Sequence, residues 1–255
     1  MDRPLRILLV LAILFPFAFL VLLSVGRQWV FPALWPEEWS LANWAEALAS
    51  HGGLGATLGR SLGISLVVAT VGTGLGFWSS QALTATRAGR WLLQLAYLPY
   101  IFAPVILAAC LQYYFLVLDV VGQLNGVLLA QLFIAYPFAV ILLSGFWNDR
   151  LRATQQLAAT LGASPRQAYW RVLLPMARGP LLVCFFQTFL ISWFEYGLTT
   201  LIGLGKVQTL TLAVFQYVNE ANIFFAAVAG VLLAVPPVLM LWLNKRYIFI
   251  EKKIA

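Results

Sequence analysis

At 255 residues, with 62% apolar and only 10% charged side chains, the chain carries more apolar surface than one soluble core can bury. Apolar blocks of about 20 residues recur, the helix length a bilayer of roughly 30 Å requires, and no strand alternation is visible. An ordinary soluble domain is thereby excluded, and an all-α, polytopic membrane protein is predicted.

Six transmembrane helices are read in chain order: Leu5 to Val25, Leu62 to Leu83, Trp91 to Phe115, Gly126 to Phe146, Gly179 to Thr200, and Phe224 to Leu243. Lys and Arg fall unevenly between the two sides. Arg3, Arg6, Arg87, Arg90, Arg150, Arg152, Arg166, Arg171, Arg178, Lys245, Arg246, Lys252 and Lys253 share one side, against Arg27, Arg60 and Lys206 on the other. Short basic loops stay in the cytoplasm, so both termini are expected there. The net charge of +7 thus reflects topology, and no nucleic-acid partner is expected, since none of the basic clusters forms a soluble face.

The first span exceeds the apolar core of a secretory signal and is read as a retained anchor. Residues 26–60 form an outer amphipathic segment. Its Trp29, Trp35, Trp39 and Trp44 suit the membrane's headgroup level, and SLANWAEALA reads as a short helix capped by Ser40. His51 reads as a solvated loop residue. Gly72 and Gly76 in the second span have the spacing that lets helix backbones approach closely. The neighbouring GTGLG follows no strand, so it is no nucleotide fingerprint, and GLGKVQT lacks the spacing of a phosphate loop.

Pro99 and Pro104 interrupt the third span and Pro137 the fourth, so these helices should bend or break. Such breaks serve either as packing kinks or as the lining of a pathway. Cys110 and Cys184 fall inside spans and read as small apolar side chains.

The connection 147–178 is the longest on the basic side. DRLRATQQLAATLG reads as an amphipathic helix with Leu151, Leu157, Ala158 and Leu161 on one face. Gly162 suits a left-handed helix exit, and Ser164 with Pro165 supplies a cap and first-turn proline for a second helix. That second helix, RQAYWRVLL, is expected to stop at Pro175, with Pro180 opening the fifth span. Glu195, in LISWFEYGLTT, lies about 16 residues into that span, or about 24 Å along it. An acid there is costly unless paired or wet, so it either lines a pathway or holds nearby backbone.

The stretch QLAATLGASPRQAYWRVLLP resembles the cytoplasmic EAA signature of binding-protein-dependent ABC importer permeases: Glu-Ala-Ala, three residues, Gly-Ala, and a terminal Leu-Pro. GRSLGISLVVATVGTGLGFWSSQALTA, LPYIFAPVIL, YPFAVILL and TLTLAVFQY are similar to other stretches of such permeases. The resemblance implies the type I importer permease fold as a single transmembrane domain over 1–255. It places a multi-pass subunit in the bacterial inner membrane, in contact with lipid.

By the same resemblance, Gln156, Leu157, Ala158, Gly162, Ala163, Ser164, Pro165, Leu174 and Pro175 form the coupling elbow, which seats on a separate ATPase. Two cytoplasmic ATP-binding subunits, a second permease subunit and an outer solute-binding protein are the implied partners. ATP and Mg are bound by the ATPase, and this chain holds no cofactor, no metal and no catalytic residue. Gln156 and Leu157 stand where the family has Glu and Ala, so an amide replaces a charged contact. A partner permease that keeps the acid would compensate, which favours a different second subunit over an identical one. Glu195, Pro99 and Pro104 are the implied pathway residues. The branch resembled handles polyamines, ferric iron, thiamine and similar solutes. The main alternative is a secondary transporter, which would need inverted repeats or a midplane ion site. A membrane enzyme would need a cluster of His, Cys or acids.

Overall fold

The computed structural model describes residues 3–27, 29, 33, 35–49 and 53–248. His51, Lys252 and Lys253 lie outside these residues, as do the side chains of Arg3, Arg6, Arg87, Arg90, Arg152, Lys245 and Arg246. The chain divides into two compact units, Met1–Ser61 with Gln208–Leu239, and Leu62–Val207 with Met240–Ala255.

In the first unit, α1 (Arg3–Val25) leads into a two-residue pair, β1 (Gly26–Arg27) and β2 (Glu38–Trp39), which aligns Gly26 with Trp39. α2 (Ala42–Ala49) follows, capped as expected by Ser40, whose Oγ accepts from the Ala42 N–H at 3.1 Å. Asn43 of α2 donates to the Gly26 carbonyl at 2.9 Å, which ties α2 to the chain just past α1. Trp35 and Trp39 are exposed, whereas Trp44 donates its indole N–H to Ser24.

Next come α3 (Leu54–Ala85), α4 (Arg87–Leu95) and, beyond a 3-10 turn at Leu98–Tyr100, α5 (Pro104–Val117). The third predicted span is therefore broken, and its two halves meet at 103°. Proline explains the corner. Pro104 opens α5 and forces Ala103 into extended backbone, with ψ 143°. α6 (Leu124–Ser144), by contrast, runs unbroken through Pro137.

α7 (Asp149–Thr160) and α8 (Pro165–Ala168) form the elbow, and α9 (Leu174–Trp193) and α10 (Gly197–Gly203) close the second unit. The fifth span stops at Trp193 instead of continuing to Thr200, and the chain turns into α10. α11 (Leu210–Asn219) and α12 (Ile223–Ile248) complete the described chain. Among the described residues, five single helices are long and apolar enough to cross a membrane, and counting the bent pair as one span makes six.

The second unit is built on three apolar clusters that involve α3, α5, α6, α9 and α10. α3 and α6 touch closely at Gly76, where an added Cβ would lie 2.5 Å from the Ala139 Cβ and 3.0 Å from its carbonyl carbon. At Gly72 the corresponding nearest distance, to Ala135, is an ordinary 3.7 Å.

Candidate functional site: the helical elbow and the Glu195 corner

The elbow starts at Asn148, whose side chain caps α7 by accepting from the Leu151 N–H at 3.0 Å. At the other end Gly162 has φ +83°, the left-handed exit its position called for. The Ala163 N–H reaches the Ala158 carbonyl and the Gly162 N–H the Ala159 carbonyl, each at 3.0 Å, satisfying two otherwise orphaned carbonyls. Ser164 then forms a reciprocal capping box with Gln167, at 3.3 and 3.0 Å, and Pro165 sits at the first helical position.

The second helix of the elbow does not stop at Pro175. α8 passes through a π turn, Tyr169–Leu173, directly into α9, with the Leu174 N–H bonded to the Tyr169 carbonyl. Pro175 lacks an N–H and would crowd the carbonyl four residues back, and the extra residue of the wide turn relieves that conflict. The second helix of the elbow and the fifth span are therefore one continuous helical rod, Pro165–Trp193.

The apolar residues of α7 divide differently from expectation. Leu151 is buried, but Leu157 and Leu161 are 62% and 80% exposed. Leu157 lies about 120° around the helix from Leu151 at roughly 100° per residue, so the four apolar positions form one broad stripe of which the Leu151 edge is covered and the Leu157 edge is not. Leu151 and Leu173 root the elbow in a cluster with Phe77 of α3, Leu143 of α6 and Ala177 of α9. Trp147 adds an indole N–H bond to Ser80 Oγ at 2.8 Å. Gln156, Leu157, Leu161, Gly162, Pro165 and Trp170 face outward. Ala158, Ala163 and Leu174 are partly covered, and Pro175 is exposed. The inside of the bend holds a cleft of about 340 Å³ lined by Gln155, Ala159, Ala163, Pro165 and Tyr169, among others.

Glu195 sits in the corner between α9 and α10 and is only 8% exposed. One carboxylate oxygen accepts from the Leu198 N–H at 2.7 Å, and the other from the Thr199 N–H at 2.8 Å and the Thr199 hydroxyl at 2.7 Å. The acid thus caps α10 through Leu198 and Thr199 of the same chain. Of the proline pair, Pro104 lies close by, because the next residue, Val105, packs on Gly197, where an added Cβ would lie 3.0 Å from the Val105 backbone nitrogen. Pro99 stands across the break, in the 3-10 turn. Tyr97, Tyr113 and Tyr114 are exposed, and the Tyr100 hydroxyl donates to the Ile134 carbonyl. Among the described residues no three His, Cys, Asp or Glu side chains converge.

The family profile of the binding-protein-dependent transport system inner membrane component matches residues 72–248. The chain belongs to this family. Its similarity to the molybdenum transport system permease protein ModB of Mycobacterium tuberculosis is 33% identity over 162 residues, 58% of this chain and 61% of that one. Sulfate permease 2 of the Chlamydomonas reinhardtii chloroplast is 32% identical over 132 residues, 51% of this chain and 36% of that one. The chain thus spans less than two thirds of these relatives' own length. A third relative, the putative 2-aminoethylphosphonate transport system permease protein PhnV of Salmonella typhimurium, is 26% identical over 252 residues and covers 94% of this chain and 91% of that one.

Among solved structures, a chain of the inward-facing MetNI methionine ABC transporter superposes with a TM-score of 0.59 at 18% identity, covering 76% of this chain and 94% of that one. This likeness shows the fold alone. Together with the family it makes the chain a helical ABC permease of the type I fold, an inner membrane component of a binding-protein-dependent transport system.

Sequence reasoning missed Gln131, Ser192, Ser65 and Thr199, which surround Glu195. Gln131 had a readable signal: an amide in the middle of the apolar run LLAQLFIA has to find a partner within the bundle.

Proposed function

We propose that this chain is the permease subunit of an ATP-driven importer, forming half of the translocation pathway, and that residues 149–175 seat on a separate ATP-binding subunit. The elbow's two-sided construction carries this reading. Leu151, Leu173 and Trp147 fix it to α3, α6 and α9, while Leu157, Leu161 and Trp170 leave apolar surface outside the spans. An exposed apolar patch of this kind suits a protein partner. Because α8 continues into α9, a push on the elbow has only the capped turn at Gly162 to cross before it reaches the rod of the fifth span. Closure of the ATPases would then bias the permease between inward-open and outward-open states.

Two ATPase subunits binding ATP and Mg, a second and different permease subunit, and an outer solute-binding protein complete the proposed assembly. Both termini face the cytoplasm in this reading. The solute class favoured by the relatives' names is a small oxyanion or phosphonate, since they specify sulfate, molybdenum and 2-aminoethylphosphonate systems. Polyamines, ferric iron and thiamine, the solutes of the branch resembled, are the competing class.

The test is reconstitution with the ATPase, second permease and binding protein encoded beside it, followed by uptake of labelled sulfate, molybdate, 2-aminoethylphosphonate, putrescine, ferric iron and thiamine. ATP-dependent accumulation of one oxyanion or phosphonate is expected. Accumulation driven by an ion gradient without ATP would overturn the importer reading, and uptake of a cation would overturn the solute class.

A further inference from the structure

Glu195 is the end of a chain of hydrogen bonds that crosses four helices. Beyond Thr199, the Gln131 amide N–H₂ of α6 donates to Thr199 Oγ1 at 2.9 Å. The Gln131 carbonyl oxygen accepts from the Ser192 hydroxyl of α9 at 2.5 Å. Ser192 Oγ lies 3.1 Å from Ser65 Oγ of α3. All five side chains are buried.

The direction of the chain follows from chemistry. A carboxylate only accepts, so the single hydroxyl proton of Thr199 points at Glu195. The Thr199 oxygen must then accept from Gln131, whose amide orientation is thereby set. That leaves its carbonyl for the Ser192 hydroxyl, and the Ser192 oxygen in turn meets Ser65 Oγ. From Ser192 onward every proton points toward Glu195, an arrangement in which each bond polarises the next.

The carboxylate also fixes the start of α10, and α10 backs the broken span. Gly197 lies against Val105 at the first turn of α5, and at the far end the Gly122 N–H, just past α5, donates to the Ile202 carbonyl at 2.7 Å. α10 is thus a short strut held at both ends behind α5.

We infer that Glu195 is a positioning residue, the polar anchor that locks α3, α6, α9 and the α10 strut together behind the broken third span, and that the transported solute does not touch it. An acid that received solute or water would present an oxygen with capacity to spare. Here three of the carboxylate's roughly four acceptor positions are filled from within the chain, and the one left, on the oxygen that caps Leu198, belongs to a group only 8% exposed. The transport arm of the test rests on the importer reading proposed above, whereas the exchange arm needs only this chain.

The exchange arm measures amide hydrogen exchange in the purified, detergent-solubilised chain. The Leu198 and Thr199 amides should be protected in the wild type, and Glu195→Gln should speed both by roughly tenfold or more, because an amide in place of the carboxylate presents one donor to another. Unchanged protection in that variant would overturn the anchor.

The transport arm compares Glu195→Gln, Thr199→Val and the double variant in the reconstituted transporter. Both single changes should lower the maximal uptake rate by roughly tenfold while leaving KM for the solute-loaded binding protein within about twofold, and the double variant should be no worse than either, as for residues of one connected unit. A raised KM in Glu195→Gln with a silent Thr199→Val would instead make Glu195 a solute ligand. If the wild type shows no ATP-driven uptake, the importer reading fails while the exchange result still decides the anchor.

Discussion

The Tyr100 hydroxyl donates to the carbonyl of Ile134, three residues before Pro137 in α6. Tyr100 ends the 3-10 turn at the corner of the broken span, and Pro137 deprives α6 of one backbone N–H in the same region. The side chain thus makes a polar contact on α6 one residue from Phe133, whose carbonyl is the one Pro137 leaves without its intrahelical partner. Tyr100→Phe removes only that hydroxyl and should cost about 1 kcal/mol. The thermal midpoint of the detergent-solubilised chain should fall by a few degrees, while a control Tyr113→Phe on an exposed ring should leave it unchanged.

Gly76 and Gly72 share a helix face but not an environment. Gly76→Ala drives a methyl group into the backbone of Ala139 and should destabilise by about 1–3 kcal/mol. Gly72→Ala meets only ordinary contact and should be tolerated. Thermal unfolding of the two variants side by side is the measurement, and equal midpoints would contradict the close approach of α3 and α6.

Gly162 is constrained by backbone conformation alone. No atom lies within 4 Å of a Cβ added there, so the cost of substitution comes from its φ of +83°. Gly162→Val should strain the elbow by about 1–3 kcal/mol, with Gly162→Ala milder. Membrane insertion should persist, while ATPase co-purification and uptake fall together. Normal values of both for the Val variant would remove the elbow from the coupling path.

The outward leucines offer a test that leaves the fold untouched. Leu161→Asp places a charge at a side chain 80% exposed, so the thermal midpoint should not move. Loss of ATPase binding by at least tenfold is expected if this patch is the docking face. The same substitution at the buried Leu151 should instead unfold the elbow, because an unpaired charge there has no partner.

ATP supplies the plainest control. Purified chain should neither bind nor hydrolyse ATP, as measured by equilibrium binding of labelled nucleotide and by phosphate release. Turnover should follow only when an ATP-binding subunit is added.

Much of this molecule was legible in the sequence because the membrane leaves the backbone few options. Blocks of about 20 apolar residues must be helices, and the caps of the elbow are local: Ser164, Pro165 and Gly162 act within a turn of their own position. Tertiary structure decided what local rules cannot reach. The third span breaks at Pro104 while α6 passes Pro137 intact, and the residue type is the same in both. The π turn that merges α8 with α9 depends on the carbonyls available around Pro175. Leu157 and Leu161 proved outward because the spans bury Leu151 and leave the rest of α7 uncovered. Sequence placed Glu195 inside the fifth span, but that helix ends at Trp193 and Glu195 lies in the corner beyond it; its partners Gln131, Ser192 and Ser65 lie on three helices, and only packing brings those side chains to one corner.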